Sequence, residues 1–300
     1  MIGKSRHRET APTLDAAAQD AVGQGCGVLR HSPPPGTYEH LRFAPPPDLA
    51  PWVEHFWLER WSFATAAPQT RELLPHPAVH LVFAPGRSRI YGVQLNRFVR
   101  ELKGAGCILG VKFHPGAFFP FFGRPVRSIA GTSIPAADVF ANAWDVEAEV
   151  LGAKDDRAKV LTAGAFLRKN LPAYDIKVEL ARRVVREIVQ DPALTRVGNL
   201  VQRMGLSERV LQHLFRVYVG ASPRWVIKRY RTYEALERLA DARGVALSDL
   251  AQDLGYFDQA HFTNDFRKLT GHPPARYAGT KPGRTSARHA DEPPQRRLRR

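Results

Sequence analysis

Between Val197 and Ala278 one short pattern occurs twice. At an offset of 50 residues, Leu200, Val201, Gln202, Met204 and Gly205 align with Leu250, Ala251, Gln252, Leu254 and Gly255. At an offset of 51, Leu211, Phe215, Arg216, Gly220 and Pro223 align with Phe262, Phe266, Arg267, Gly271 and Pro274. The register slips by one residue inside the turn, at Leu206 in the first copy and at Tyr256-Phe257 in the second. A repeat constrains a fold strongly, because both copies have to satisfy one local structure.

Each copy has the grammar of a helix-turn-helix. A short amphipathic helix ends at a glycine that can take positive φ, Gly205 or Gly255. A cap residue, Ser207 or Asp258, then opens a second helix. Its apolar positions, Leu211, Leu214 and Phe215 or Phe262 and Phe266, are expected to face inward. Gly220 or Gly271 stops it. Left on the outer faces are Arg209, Gln212, His213 and Arg216 in the first copy, and Gln259, Thr263, Asn264 and Arg267 in the second. A plain helix bundle has no use for that set. Arg, Gln and Asn can pair bidentately with guanine or adenine edges in a major groove.

Between the copies, Pro223 to Ala240 has proline at the first helical position and no internal Gly or Pro. A helix of that span is roughly 27 Å long. Successive major grooves on one face of a duplex lie ~34 Å apart. One chain is therefore expected to present both second helices to adjacent groove segments and to read a non-palindromic site.

The charge agrees. Lys and Arg number 44 against 29 Asp and Glu, a net +15 with a pI near 10.2. Residues 181–300 hold 23 of the bases and 12 of the acids, so the excess sits with the duplication. An anionic polymer is the partner such a balance suits. Residues 279–300 form a basic tail with almost no apolar content, expected to be disordered.

The duplicated region resembles the DNA-binding domain of the AraC/XylS family of bacterial transcription regulators. The second copy carries Gly255-Tyr256-Phe257-Asp258-Gln259-Ala260-His261-Phe262, then Phe266-Arg267, Gly271 and Pro273-Pro274 with Tyr277. The first carries Leu206-Ser207, Leu211, Phe215-Arg216, Gly220 and Ser222-Pro223; Arg231 and Ala235 of the connecting helix also fit. The resemblance implies two helix-turn-helix units on a long linker helix across residues 175–278. It puts base contacts on Arg209, Gln212 and His213 in the first unit and on Gln259, Thr263 and Asn264 in the second. His213 and Asn264 stand where the family often has Arg, which alters phosphate or guanine contacts there.

The rest of the chain reads differently. Residues 1–36, rich in Ala, Gly and charge and ending in Ser32-Pro33-Pro34-Pro35-Gly36, read as a flexible leader. Residues 37–135 are β-like: Val79 to Phe83, Ile90 to Val93 and Ile108 to Phe113 are strand-sized apolar runs divided by Pro and Gly. The aromatic set Trp52, Phe56, Trp57, Trp61 and Phe63 is read as one or two helical faces packed in a core. Residues 136–174 read as a helical connector with a dimerisation role. Helices are expected around Val146 to Leu151, Arg157 to Lys169 and Lys177 to Gln190, the last capped by Asp175. Trp52-Val53 with Phe56-Trp57, Leu74-Pro75 and Gly110 to Gly116 resemble the β-rich, cupin-like sensory domains that precede such DNA-binding domains. The expected fold class is α+β in two domains: a β-rich barrel or sandwich, then the all-α double helix-turn-helix domain.

Other chemistry finds little support. Pro75 and Pro77 forbid a helix that would pair His76 with His80 as metal ligands, and on a strand the two would lie about 13 Å apart. Cys107 sits in an apolar run and reads as an inert thiol; with Cys26 it makes neither a disulfide framework nor a zinc site. Gly23-x-Gly25-x-Gly27 lacks the Gly-Lys-Ser/Thr of a phosphate loop. No apolar stretch reaches membrane-spanning length, and no secretory signal is expected, because Asp15, Gln19 and Asp20 interrupt Leu14 to Val22. No metal, cofactor or catalytic residue is expected. The reading is a cytoplasmic, nucleoid-associated regulator without enzyme activity. Its partners are double-stranded operator DNA, a small-molecule effector, a second copy of the chain and, for an activator, RNA polymerase. The alternative is an enzyme domain fused to a DNA-binding module, as in DNA repair; neither Cys26 nor Cys107 has the Pro-Cys-His setting that would need.

Overall fold

The computed structural model describes residues 28–30, 36–64, 68–241 and 246–279. The glycine run at 23–27, Cys26 and the tail beyond 279 lie outside the described residues. Of the segment read as a flexible leader, Val28–Arg30 forms β1 and pairs antiparallel with β4 (Gln69–Leu73), which corrects that reading over these three residues.

A six-stranded antiparallel sheet runs in the order β2-β3-β8-β5-β6-β9. Its strands are β2 (Gly36–Phe43), β3 (Val53–Phe63), β5 (His80–Phe83), β6 (Arg89–Tyr91), β8 (Ala105–Phe113) and β9 (Ser133–Pro135). A second sheet has the order β1-β4-β7, with β7 spanning Phe98–Leu102. The set Trp52 to Phe63, read as helical, is almost entirely strand β3. Both faces of β3 are covered, so its apolar residues nearly merge into one run and the period of two is masked. Phe56 and Leu58 point to one side. Trp57, Trp61 and Phe63 point to the other, where Val82, Leu102 and Ile108 join them and the two sheets meet.

Behind the Phe56 face lie α2 (Ala143–Gly152) and α3 (Asp156–Lys169); Phe166 meets Phe83 edge-on with centroids 5.8 Å apart. Asp155 caps α3 by accepting from the Ala158 N–H at 2.7 Å. Next comes α4 (Ile176–Gln190), capped by Asp175, which accepts from the Lys177 N–H as its position suggests.

The apolar core does not stop at the end of the sheet domain. From the strands it continues through α1 (Phe119–Phe122) and the 3-10 turn Val126–Ile129 into α4 and the first helix-turn-helix unit. Phe119 lies against Tyr218 with centroids 4.4 Å apart. Gly220, at φ 88°, lets the backbone approach so closely that an added Cβ would come within 2.8 Å of Val126. The second unit has its own core of Tyr233, Leu236, Leu239, Leu250, Leu254, Phe262, Phe266 and Tyr277, joined by Leu74 from the sheet domain.

Candidate nucleic-acid interface

In the first unit α5 (Val197–Met204) ends at Gly205, left-handed at φ 62°, and α6 (Glu208–Leu214) begins after Ser207. Ser207 Oγ accepts from the Val210 N–H at 3.3 Å, which satisfies one of the open donors of the first turn. A π-helical turn, Phe215–Val219, extends α6 to Gly220. In the second unit α8 (Leu247–Asp253) leads to Gly255, and α9 (Gln259–Thr270) starts after Asp258, which accepts from the His261 N–H at 2.7 Å. Gly255 is needed twice over. Its φ is 77°, and a Cβ there would sit 2.5 Å from the Thr195 side chain, where the two units touch.

The inner faces of the two second helices are apolar and closed: Leu211, Phe215, Phe262 and Phe266 are buried. Arg209, Gln212, His213 and Arg216 are exposed on α6 and its extension, and Gln259, Asn264 and Arg267 on α9; Thr263 is half-buried. The Gln212 amide donates to Glu208 Oε1 at 2.8 Å, and Arg267 donates to Asn264 Oδ1 at 3.4 Å. All eight side chains singled out in the sequence therefore lie on the two second helices or the turn that extends the first, seven of them exposed.

Joining the units is α7 (Pro223–Asp241), a single helix of 19 residues. A cleft of about 530 Å³ opens between the units along it. Gln212 and Glu208 of α6 line one side, His261 of α9 another, and Arg196, Arg224 and Lys228 supply positive charge. Lys228 pairs with Asp265 of α9, so the linker holds the second helix by an ion pair as well as by packing. Sequence reasoning did not single out Arg196, Arg224, Lys228 or Glu208. The four-residue spacings Arg224–Lys228 and Glu208–Gln212 were the available signal, since such pairs share a helix face.

Two arginines of α7 are buried, against the usual preference. Arg231 donates to the Ile188 carbonyl at 2.5 Å and to Glu234 at 2.6 Å. Arg229 donates to the Leu95 carbonyl at 2.8 Å, with its guanidinium over the Trp225 ring. Desolvation pulls the Arg229 pKa down to about 10, which leaves it charged at neutral pH. Trp225 Nε1 donates to the same Leu95 carbonyl at 3.1 Å. Further along, Tyr233 donates to the Leu74 carbonyl and stacks on His76, centroids 4.4 Å apart. Two loops of the sheet domain thus grip the linker helix.

Among the described residues, no group of three His, Cys, Asp or Glu side chains is placed to hold a metal ion. His76 lies in the loop before β5, not on a strand with His80. Cys107 is half-buried in β8. No helix among the described residues is long and apolar enough to cross a membrane.

Comparison with known proteins assigns the halves separately. Residues 200–280 match a helix-turn-helix domain family, and residues 41–135 match a domain of unknown function, DUF6597. No curated protein matches the chain. Among solved structures, the C-terminal domain of the two-component response regulator yesN from Fusobacterium nucleatum is similar at 20% identity; the match covers 34% of this chain and 98% of that one, with a TM-score of 0.30. ToxT from Vibrio cholerae is similar at 9% identity over 81% of this chain and 97% of its own, with a TM-score of 0.36. Scores this low carry no argument about fold or ligand. The weight rests on the domain match over 200–280 and on the residues that build its two capped turns. By that domain match residues 200–280 are a helix-turn-helix domain, the module of a DNA-binding transcription regulator.

Proposed function

We propose that one chain reads two successive major-groove segments of a single duplex, with α6 in the first and α9 in the second. The observation that carries this reading is the joint arrangement of the units. Two turns with equivalent caps present Arg, Gln, His and Asn on exposed helix faces, and one unbroken helix of roughly 28 Å separates them. Arg209, Gln212 and His213, with Gln259, Thr263 and Asn264, read base edges; Arg216 and Arg267 hold phosphate. The cations along the cleft favour the backbone that runs between the grooves.

In this reading the sheet domain, with the helices up to residue 174, regulates. It grips α7 at Leu95 and Leu74 and shares its core with the first unit, so any ligand or second copy that shifts it shifts the spacing of the readers. An effector, a homodimer and, for an activator, RNA polymerase act through that coupling.

Selection of duplexes from a random pool by the full chain tests the reading. A preferred sequence in two parts is expected. Gln212→Ala and Gln259→Ala should each lose about 1–3 kcal/mol at particular base pairs, in different parts of the site, and relax preference there. Matching losses on selected and random DNA would remove that glutamine from the reading set.

A further inference from the structure

The one-residue slip in the duplication has a definite location in the structure. In both units the residue after the glycine closes the first helix in the same way. Leu206 N–H donates to the Val201 carbonyl at 3.3 Å, and Tyr256 N–H to the Ala251 carbonyl at 2.9 Å. The caps Ser207 and Asp258 are equivalent too, each accepting from the N–H three residues on. Leu206 thus corresponds to Tyr256 and Ser207 to Asp258. The residue left over in the second turn is Phe257.

The extra residue has no structural task. An apolar side chain just before a helix cap commonly packs on the fourth helical residue and fixes the entry of the chain. In the first unit Leu206 occupies that place and is packed on the core that contains Leu211. In the second unit Tyr256 does this work instead, with its ring 5.3 Å from that of Phe262. Phe257 is 94% exposed, the most exposed of the large apolar side chains described. It stands two residues before Gln259, at the end of α9 where the reading face begins.

We propose that Phe257 is a specificity-determining contact of the second unit, which packs against the C5-methyl group of a thymine in the major groove. This rests on the reading of the second unit as a DNA reader. A phenyl ring has nothing to offer a phosphate or a base hydrogen-bonding edge, and the thymine methyl is the apolar feature that the major groove presents. Carried on the turn that precedes α9, the ring enters the groove with Gln259. The first unit, one residue shorter, has no counterpart, so the two units differ in the bases they accept beside the helix start.

The test uses the full chain and the duplex it selects from a random pool. Each thymine in the part of the site read by α9 is replaced in turn by uracil, which removes the methyl group and leaves the hydrogen-bonding edge intact. Wild-type protein should lose roughly fourfold in affinity at one position. Phe257→Ala should bind the thymine duplex on the order of tenfold more weakly, show no further loss at that position, and keep the wild-type melting temperature because the ring is exposed. Phe257→Leu should recover part of the methyl sensitivity. Phe257→Ala binding as tightly as wild type overturns the inference, and so does a uracil penalty that is the same in both proteins. A loss of transcription by Phe257→Ala without a loss of DNA affinity also overturns it, by giving the ring to a protein partner. If the wild-type chain selects no duplex at all, the reading of the two units as DNA readers falls first.

Discussion

Acidification from pH 7 to pH 5 is expected to destabilise the full chain steeply, with unfolding near pH 5 taking up close to four protons. The source is a row of side chains across three neighbouring strands. Lys112 on β8 lies directly opposite His55 on β3 and His80 on β5. His80 Nδ1 accepts from Trp57 Nε1 at 3.1 Å, which requires it to be unprotonated. Burial, reinforced by the Lys112 ammonium, holds His55 at about 4 and His80 at about 3. Burial and the Arg182 charge hold His114 at about 4, and burial beside Lys112 takes His76 well below its ordinary value.

The unfolded chain protonates these rings near pH 6.5 while the folded chain does not, so it binds more protons throughout that interval. Stability is therefore fully present above about pH 6.5 and is lost as the pH falls toward 4. Four such groups give a slope of roughly 5 kcal/mol per pH unit at most, and less to the extent that the rings keep some contact with water. Glu54 and Glu59, both held below the carboxylate range, add to the loss in the same direction at lower pH. Urea melts at pH 7, 6 and 5 measure the slope. A stability unchanged across that range would contradict the placement of these histidines.

The second large effect is at the same row. Lys112 is buried, and its ammonium is paired with Glu54 at 2.7 Å. Glu54→Ala should destabilise the protein by about 3 kcal/mol, because it leaves a buried cation without its carboxylate. Removing both charges with Glu54→Leu and Lys112→Met should restore most of that loss, since the pair is held at a desolvation penalty comparable to its attraction. Equilibrium denaturation of the two variants decides it. A single variant within about 0.5 kcal/mol of wild type, or a double variant weaker than the single, would mean that the ion pair does not bear on stability as described.

What could be read from the chain beforehand was local. Ser207, Asp258 and Asp175 announce helix starts because a cap acts on N–H groups two or three residues away. Gly205, Gly220, Gly255 and Gly271 announce ends because a positive φ is a property of one residue, and each is left-handed in the structure. The outward position of Gln212 and Gln259 follows from helical spacing alone. What was misread, as β3 was, or not read at all, depends on partners far off in sequence. Strand β3 hides its alternation because sheet and helices cover both its faces. His55, Lys112 and His80 form a row only once β8 lies between β3 and β5. Arg229 and Arg231 look like solvated linker residues until the sheet domain and α4 close over them. The exposed faces of α6 and α9 were therefore accessible to sequence reasoning, whereas the grip of the sheet domain on the linker was not.

If one chain spans two grooves at a fixed separation, as proposed, the spacing of the two parts of the selected site decides how tightly it binds. A duplex with about five base pairs inserted between the two parts turns one groove to the opposite side of the helix axis. With a rigid α7 the full chain should bind it no better than a duplex carrying one part alone, and insertion of a full turn should not restore the affinity of the native spacing. Undiminished binding to the half-turn insertion would rule out simultaneous two-groove binding by one chain, because two readers on one unbroken helix cannot follow that rotation.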